Sequence, residues 1–533
     1  MSRSTARALA RGDVHLGDLP RLLAHRYGRR PAVEDPGLTP GLDHGSVRTF
    51  RDLEEATARL AGAHREHGRR AGERVLVVLD NRIDIALHVF ALARLGALPV
   101  PVNHRLTAPE IAAVVEASEA TAAVVDAGLE EVVDDALDVI TTSALGETVR
   151  RRPDLVVEHG EQSDPREVAV LLTTSGTTGM PKAAALSSHG LLASLGRTAV
   201  VPVGRQRGLR PGRDRMVASL PLTHVMGLSV LLGTMCAGVP LVRRDRFDAQ
   251  ETLDLIEQKR ANMFVGVPTM YADLEGAGAA ERDLSSVQLW VSSADVLPPD
   301  RARRFQRYGA MARIRGRAIG TAVFVDIYGM VELSGGAALR LYPPTLTARP
   351  WLPSFAIRLP GMEVRAVDAE GRPVGPGRVG ELQFRGGGVL RGYEGREDVG
   401  PDEEGWFSSG DHGRVWPGGV FQFVGRAKDR LKVGGFSVFP AEVEHELRDA
   451  PGLREVALVG VPDERLGERP VAVVVPGPDF DREAFMAWAR ERVTGYRRPT
   501  DVVVADELPR GNHGKIDRAT ATEIAVEQLE AAR

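Results

Sequence analysis

The run Thr173-Thr174-Ser175-Gly176-Thr177-Thr178-Gly179-Met180-Pro181-Lys182 gathers hydroxyls, glycines and a lysine in one short stretch. Glycines let the backbone come close to a ligand, and hydroxyls and exposed N–H groups suit phosphate oxygens. Lys182 adds a positive charge. The spacing is not that of a Walker A loop, which needs Gly-x-x-x-x-Gly-Lys-Ser/Thr. By composition alone the stretch is either a plain turn or a phosphate loop. An apolar run at 168–172 leads into it, with the length and branching of a buried strand.

Such a stretch must be held by a scaffold, and a chain of 533 residues is long enough for several lobes. The net charge of −4 gives no reason to expect nucleic-acid binding. No apolar run is long enough to span a bilayer. Residues 1–11 are rich in Arg and Ser but lack the apolar centre of a secretory signal, and read as a frayed tail. The lone Cys236 excludes an internal disulfide and fits a reducing compartment. Its apolar neighbours at 231–237 make it a buried structural thiol rather than a nucleophile. The expectation is a soluble cytoplasmic enzyme.

Between Leu19 and Asp164 helical and strand-like patterns alternate. Residues 50–60 are amphipathic and 83–95 helical, while 74–79, 96–103 and 122–126 read as strands. Strands separated by helices predict a parallel sheet with helices on its faces. Ser188 is placed to cap a helix through 190–195, and 203–215 is a Gly- and Arg-rich surface loop. Residues 264–270 read as a strand leading into a turn. Arginines gather between 301 and 317 with no acidic residue among them, as a solvated helix face or an anion-attracting surface; the sequence leaves both open. From Trp351 the texture turns to short strands, 362–368 and 380–386, of a small antiparallel or barrel-like subdomain. Beyond Asp449, strands are expected at 453–459 and 470–475 and a helix at 482–493.

The opening stretch resembles the signature loop of the AMP-forming adenylating superfamily, which includes acyl-CoA synthetases, peptide-synthetase adenylation domains and luciferases. Further segments resemble that family's motifs in the same order. The resemblance makes Thr174, Ser175, Gly176, Thr177, Thr178, Gly179 and Lys182 the pyrophosphate-side wall of a nucleotide site. Asp326-Ile327-Tyr328-Gly329-Met330-Val331-Glu332 is similar to Tyr-Gly-x-Thr-Glu. It implies that Tyr328 stacks on adenine, with Asp326 and Gly329 beside it, and that Glu332 and Thr178 meet Mg²⁺. A hard cation prefers carboxylate oxygen, so Glu332 suits the role. Residues 405–413 resemble Trp-Phe-x-Thr-Gly-Asp, in which Asp411 would accept both ribose hydroxyls. Residues 425–444 resemble the Gly-Arg-x-Lys/Asp-Asp linker. There Arg426 would contact ribose or phosphate and Lys428 would be the hinge. Lys432, Gly434 and Gly435 would border the CoA channel. Near the end, 508–518 resemble the Pro-x-x-x-x-Gly-Lys loop, which makes Lys515 the catalytic lysine. The acyl pocket would be lined by His224, Met226, Val267, Met270, Gly329, Met330, Val331 and Ala337. Residues 292–295 correspond loosely to the adenine-side loop, which in the family more often carries glycines.

The implied fold is α/β. A large multi-lobed N-terminal domain, 1–427, carries helix-flanked sheets and a small β subdomain, and a small mobile α+β domain follows at 428–533. The implied activity is ATP-dependent activation of a carboxylic acid as an acyl-adenylate, with release of pyrophosphate, then transfer to the thiol of coenzyme A. ATP, Mg²⁺ and CoA are the implied co-substrates and cofactor. A carboxylate is already ionised at neutral pH, so the first step needs charge neutralisation rather than a proton relay. Val331 departs from the family's threonine and cannot donate its hydrogen bond to the α-phosphate. Two alternatives stay open. In one the activated group passes to a carrier protein, an amine or another nucleophile. In the other the chain is a non-catalytic nucleotide- or acyl-binding relative, against which the joint retention of Glu332, Asp411, Arg426 and Lys515 argues. The acid and the oligomeric state are not legible.

Overall fold

The computed structural model describes residues 11–36, 46–133, 136–160, 164–175, 181–198, 210–295, 297–314, 317–342, 355–396, 399–434, 436–463, 465–493, 495–510 and 516–531. By its internal contacts the chain divides into two units, Met1–Glu363 with Phe384–Phe407, and Val364–Gln383 with Ser408–Arg533. The expected boundary at Lys428 falls inside the second unit.

In the first unit, Arg74–Leu79 pairs in parallel with Leu98–Asn103 on one side and Ala122–Val125 on the other, and Asp138–Thr141 closes the row. The run Val75-Leu76-Val77-Val78-Leu79 is buried throughout, as a strand covered on both faces must be. Helix Phe50–Glu66 packs against helix Asp84–Arg94, which in turn covers Arg74–Leu79 and Leu98–Asn103. Thr49 starts the first of these through a capping box with Asp52. The strand Asp138–Thr141 and helix Thr142–Arg151 were not legible, because short apolar runs there alternate with polar residues.

A second sheet has a parallel centre of Met216–Val217, Met263–Gly266, Leu289–Ser293 and Val323–Met330, to which Gly335–Tyr342 adds antiparallel. One face rests on an aromatic core. Phe264, Tyr271, Trp290 and Phe305 meet edge to face, with centroids 4.8–6.3 Å apart, and Phe324 tilts against Tyr271. The expected turn after Phe264 is a helix, Pro268–Gly276. Proline at its first position is preset for helical φ, so the strand passes directly into the helix. Part of the arginine cluster is paired, while Arg307 and Arg317 are exposed. Arg301 and Arg304, on helix Pro299–Tyr308, both bind Glu275 of the preceding helix, a partner too distant in sequence for local charge patterning to reveal. Cys236 is buried, and burial pushes its thiol up to about 12, consistent with a structural role.

Helices Phe50–Glu66 and Asp84–Arg94 carry a fully buried histidine pair. His64 Nε2 and His88 Nδ1 share a hydrogen bond of 2.9 Å, while His64 Nδ1 and His88 Nε2 have no partner among the described residues. Burial holds both imidazoles down, His88 to about 4. The unfolded chain therefore binds more protons than the folded one as pH falls below the unfolded value of about 6.5. The pair's contribution is complete above that pH and is lost progressively toward pH 4. Chemical denaturation should show lower stability at pH 5.5 than at 7.5, and a His64→Leu, His88→Leu double variant should show a smaller drop. Equal drops would place the acid sensitivity elsewhere.

The second unit begins with strands that lie side by side, in the order Met362–Val367, Val379–Gly386, Phe407–Trp416 and Val420–Arg426. This is the antiparallel texture expected from sequence, in an open row rather than a barrel. Its C-terminal part is a sheet built around a long antiparallel ribbon, Leu453–Asp463 against Gly467–Pro476, with Asp501–Val504 parallel to the latter. Alternate residues of the ribbon feed two cores. Val456, Leu458, Ala472 and Val474 pack with Phe485, while Ala457, Val459, Val471 and Val473 pack with Ala521 and Ala525.

Candidate active site

In the first unit the opening stretch is the end of a hairpin. Strand Val168–Ser175 runs antiparallel to Pro181–Ser187, with Thr174 opposite Lys182 and Ser175 opposite Pro181. Thr173, Thr174 and Ser175, read from sequence as part of a turn, extend the strand; their β-branched and small side chains suit it. Gly176, Thr177, Thr178 and Gly179 lie outside the described residues.

Strand Val323–Met330 ends in a single 3₁₀ turn, Val331–Leu333, which carries Glu332 and packs against both strands of the hairpin. The Glu332 Oε1 accepts a hydrogen bond of 2.9 Å from the hydroxyl of Tyr393. Burial, and then the Glu332 charge, push that phenol well up, so it remains a proton donor. Over the same ring, 5.2 Å from its centroid, lies the ammonium of Lys182. Hairpin, Glu332 and Tyr393 thus form one cluster in which a carboxylate is held at a fixed orientation near a cation. A carboxylate so placed fits a hard metal ion, and Lys182 fits an anion.

Tyr328 stacks on Phe384, with centroids 5.5 Å apart and planes at 25°. Gly329 must be glycine, since a Cβ there would lie 2.0 Å from the Gly335 carbonyl oxygen. Asp326 is bound to Arg340 across the strand pair; burial still raises its carboxyl despite that cation. Ala294 takes φ +77°, where glycine is favoured and alanine is strained, and it stands where glycines are more usual in the resembled motif.

Of the expected acyl-pocket residues, His224 caps helix Val225–Ala237, its Nδ1 accepting from the Met226 N–H at 3.4 Å. That helix packs against strand Gly335–Tyr342, in which Ala337 is fully buried. Val267 stands just before helix Pro268–Gly276, and Met226, Val267, Met270 and Met330 are half-buried, whereas Val331 is buried.

In the second unit Asp411 is only 3 % exposed, with Arg426 Nε 3.5 Å from its Oδ1. The two residues face each other across strands Phe407–Trp416 and Val420–Arg426. Ser409 supports the turn: its hydroxyl donates to the Leu382 carbonyl at 2.7 Å and accepts from the Asp411 N–H at 3.2 Å. Lys428 is exposed in the 3₁₀ turn Ala427–Asp429, and Lys432 is exposed on Leu431–Val433. Gly434 has φ +56°, a left-handed position suited to glycine. Gly435 and Lys515 lie outside the described residues.

Sequence reasoning missed Tyr393. Its partner Glu332 stands 61 residues earlier, and nothing in the spacing links them.

The AMP-binding enzyme family model matches residues 22–394 and that of the AMP-binding enzyme C-terminal domain matches 442–515. This chain belongs to the AMP-binding enzyme family. Feruloyl-CoA synthase of Amycolatopsis sp is 33% identical over 502 residues, covering 91% of this chain and 96% of that protein. Indoleacetate–CoA ligase of Aromatoleum aromaticum is 32% identical over 508 residues, covering 91% and 95%. Among solved structures, o-succinylbenzoate CoA synthetase (MenE) of Bacillus subtilis, in complex with its acyl-adenylate, has a TM-score of 0.76 at 22% identity, covering 95% of this chain and 97% of that one. The same synthetase has been solved with ATP and a magnesium ion. The AMP-binding family assignment agrees with the motif order, and the mixed α/β architecture with its smaller C-terminal part matches the synthetase fold. This family member is an adenylate-forming ligase whose named relatives are CoA ligases. No described helix is long and apolar enough to cross a membrane.

Proposed function

We propose that this chain is an AMP-forming carboxylic acid–CoA ligase acting on an aryl-substituted acid. The observation that carries the reading is Glu332, oriented by Tyr393 and seated against the hairpin of Thr174 and Lys182. In this reading Glu332 and Thr178 hold Mg²⁺, which when bound neutralises triphosphate charge. The hairpin tip and Lys182 bind the phosphates, and Tyr328, Gly329 and Asp326 border the adenine. Asp411 accepts the ribose hydroxyls and Arg426 steadies Asp411. Lys515 stabilises the charge that develops as the substrate carboxylate attacks the α-phosphorus and pyrophosphate departs. In the second half-reaction the thiol of CoA displaces AMP from the acyl carbon, with Lys428 as the hinge and Lys432, Gly434 and Gly435 along the thiol's approach.

Apart from His224, the expected pocket residues Met226, Val267, Met330, Val331 and Ala337 are apolar, which suits a largely apolar acyl group. An aromatic acid is the class named in the feruloyl and indoleacetate relatives. The test is a panel of ferulate, indoleacetate, benzoate and a long-chain fatty acid with ATP and Mg²⁺, following pyrophosphate with and without CoA. Sustained release with an aryl acid and CoA is expected. Preference for the fatty acid would overturn the acid class, and release sustained by a different acceptor but not by CoA would overturn CoA as the acceptor.

A further inference from the structure

The acidic and basic members of the phosphate cluster meet on a single aromatic ring. Tyr393 is 9 % exposed, and donates to Glu332 Oε1 from its hydroxyl while Lys182 rests over its face. The ring is itself anchored. Strand Gly392–Tyr393 pairs antiparallel with Pro181–Ser187, Tyr393 lying opposite Ala184, and the Glu394 N–H donates to the Ala183 carbonyl at 2.9 Å. Two residues before the strand, the Leu390 N–H donates to the Glu332 carbonyl at 2.8 Å. Residues 390–394 are thus a strap. It grips Glu332 by main chain and side chain, and grips the strand that carries Lys182.

Opposite charges this near one another would close into an ion pair if free to do so, and a closed pair would withdraw both groups from a ligand. Among the described residues no ion pair joins Lys182 to Glu332; each instead meets the Tyr393 side chain, one at the ring face and one at the hydroxyl. We infer that Tyr393 is a positioning residue for the phosphate site. Its hydroxyl fixes the Glu332 carboxylate for a divalent cation, and its ring keeps Lys182 directed at phosphate rather than at Glu332. Groups that hydrogen-bond a metal-ligating carboxylate act this way in general, and removing one typically costs about tenfold to a hundredfold in metal affinity. The inference rests on the proposed role of Glu332.

A residue that only filled space would tolerate Tyr393→Phe, which keeps ring, packing and cation–π contact and removes one donor. The experiment is calorimetric titration of the full chain with ATP, without acid or CoA, across a Mg²⁺ series. For Tyr393→Phe the Mg²⁺ concentration that half-restores ATP binding should rise at least tenfold, with melting temperature and affinity at saturating Mg²⁺ unchanged. Tyr393→Leu should also bind ATP more weakly at saturating Mg²⁺, because Lys182 is released onto Glu332. An unaltered Mg²⁺ requirement in Tyr393→Phe, with a raised one in Glu332→Gln, would overturn the role of Tyr393. An unaltered requirement in Glu332→Gln would instead overturn Glu332 as the metal ligand.

Discussion

Lys515→Ala is expected to lower acid-dependent ATP–pyrophosphate exchange by on the order of a hundredfold to a thousandfold, the usual cost of losing one prepositioned donor to a developing charge. Substrate carboxylate and α-phosphate are both anionic, so their approach is opposed until cations offset it. Lys182 is placed on the hairpin, over Tyr393, and is proposed as the phosphate-side cation. Lys515 stands in a Gly-rich stretch between Arg510 and Ile516, which pair as an antiparallel bridge, and the Asp517 N–H closes the base on the Pro509 carbonyl at 2.8 Å. That base is closed by main-chain groups of Pro509, Arg510, Ile516 and Asp517, so the variant should keep the wild-type melting temperature. Exchange at the wild-type rate in a folded Lys515→Ala protein would remove Lys515 from the chemistry.

Asp411→Asn should raise the KM for ATP by about tenfold to a hundredfold with a smaller change in kcat. The carboxylate is buried against Arg426 and reads as the acceptor for two ribose hydroxyls. An amide keeps the shape and one acceptor oxygen but gives up the charge and the second. A hydrogen bond to a charged group contributes about 1.5–3 kcal/mol, which sets that range. Initial-rate kinetics over a range of ATP concentrations decide it. An unaltered KM would mean that Asp411 serves only Arg426 and the turn.

What the sequence disclosed and what it withheld follow from the range of the interactions. Buried parallel strands such as Arg74–Leu79 are legible because their apolar runs are local, and the capping box at Thr49 and Asp52 spans three residues. The motif residues stand in order, so Glu332 and Asp411 could be named before any geometry was known. Pairings across long loops were not legible. Arg301 and Arg304 looked like an unpaired cluster until Glu275 was brought beneath them, and Tyr393 carried no mark of its bond to Glu332. Thr173 to Ser175 were misjudged because a Thr/Ser run has both turn and strand character, and only the partner strand Pro181–Ser187 selects the strand.

The central claim is that the acid carboxylate attacks the α-phosphorus of ATP. It is tested most directly by labelling both carboxylate oxygens of the best acid in the panel with ¹⁸O and examining AMP by mass spectrometry after turnover with CoA. The attacking oxygen stays on phosphorus when the thiol displaces AMP, so each AMP should carry one ¹⁸O and pyrophosphate none. Label in inorganic phosphate, or AMP without label, would contradict it.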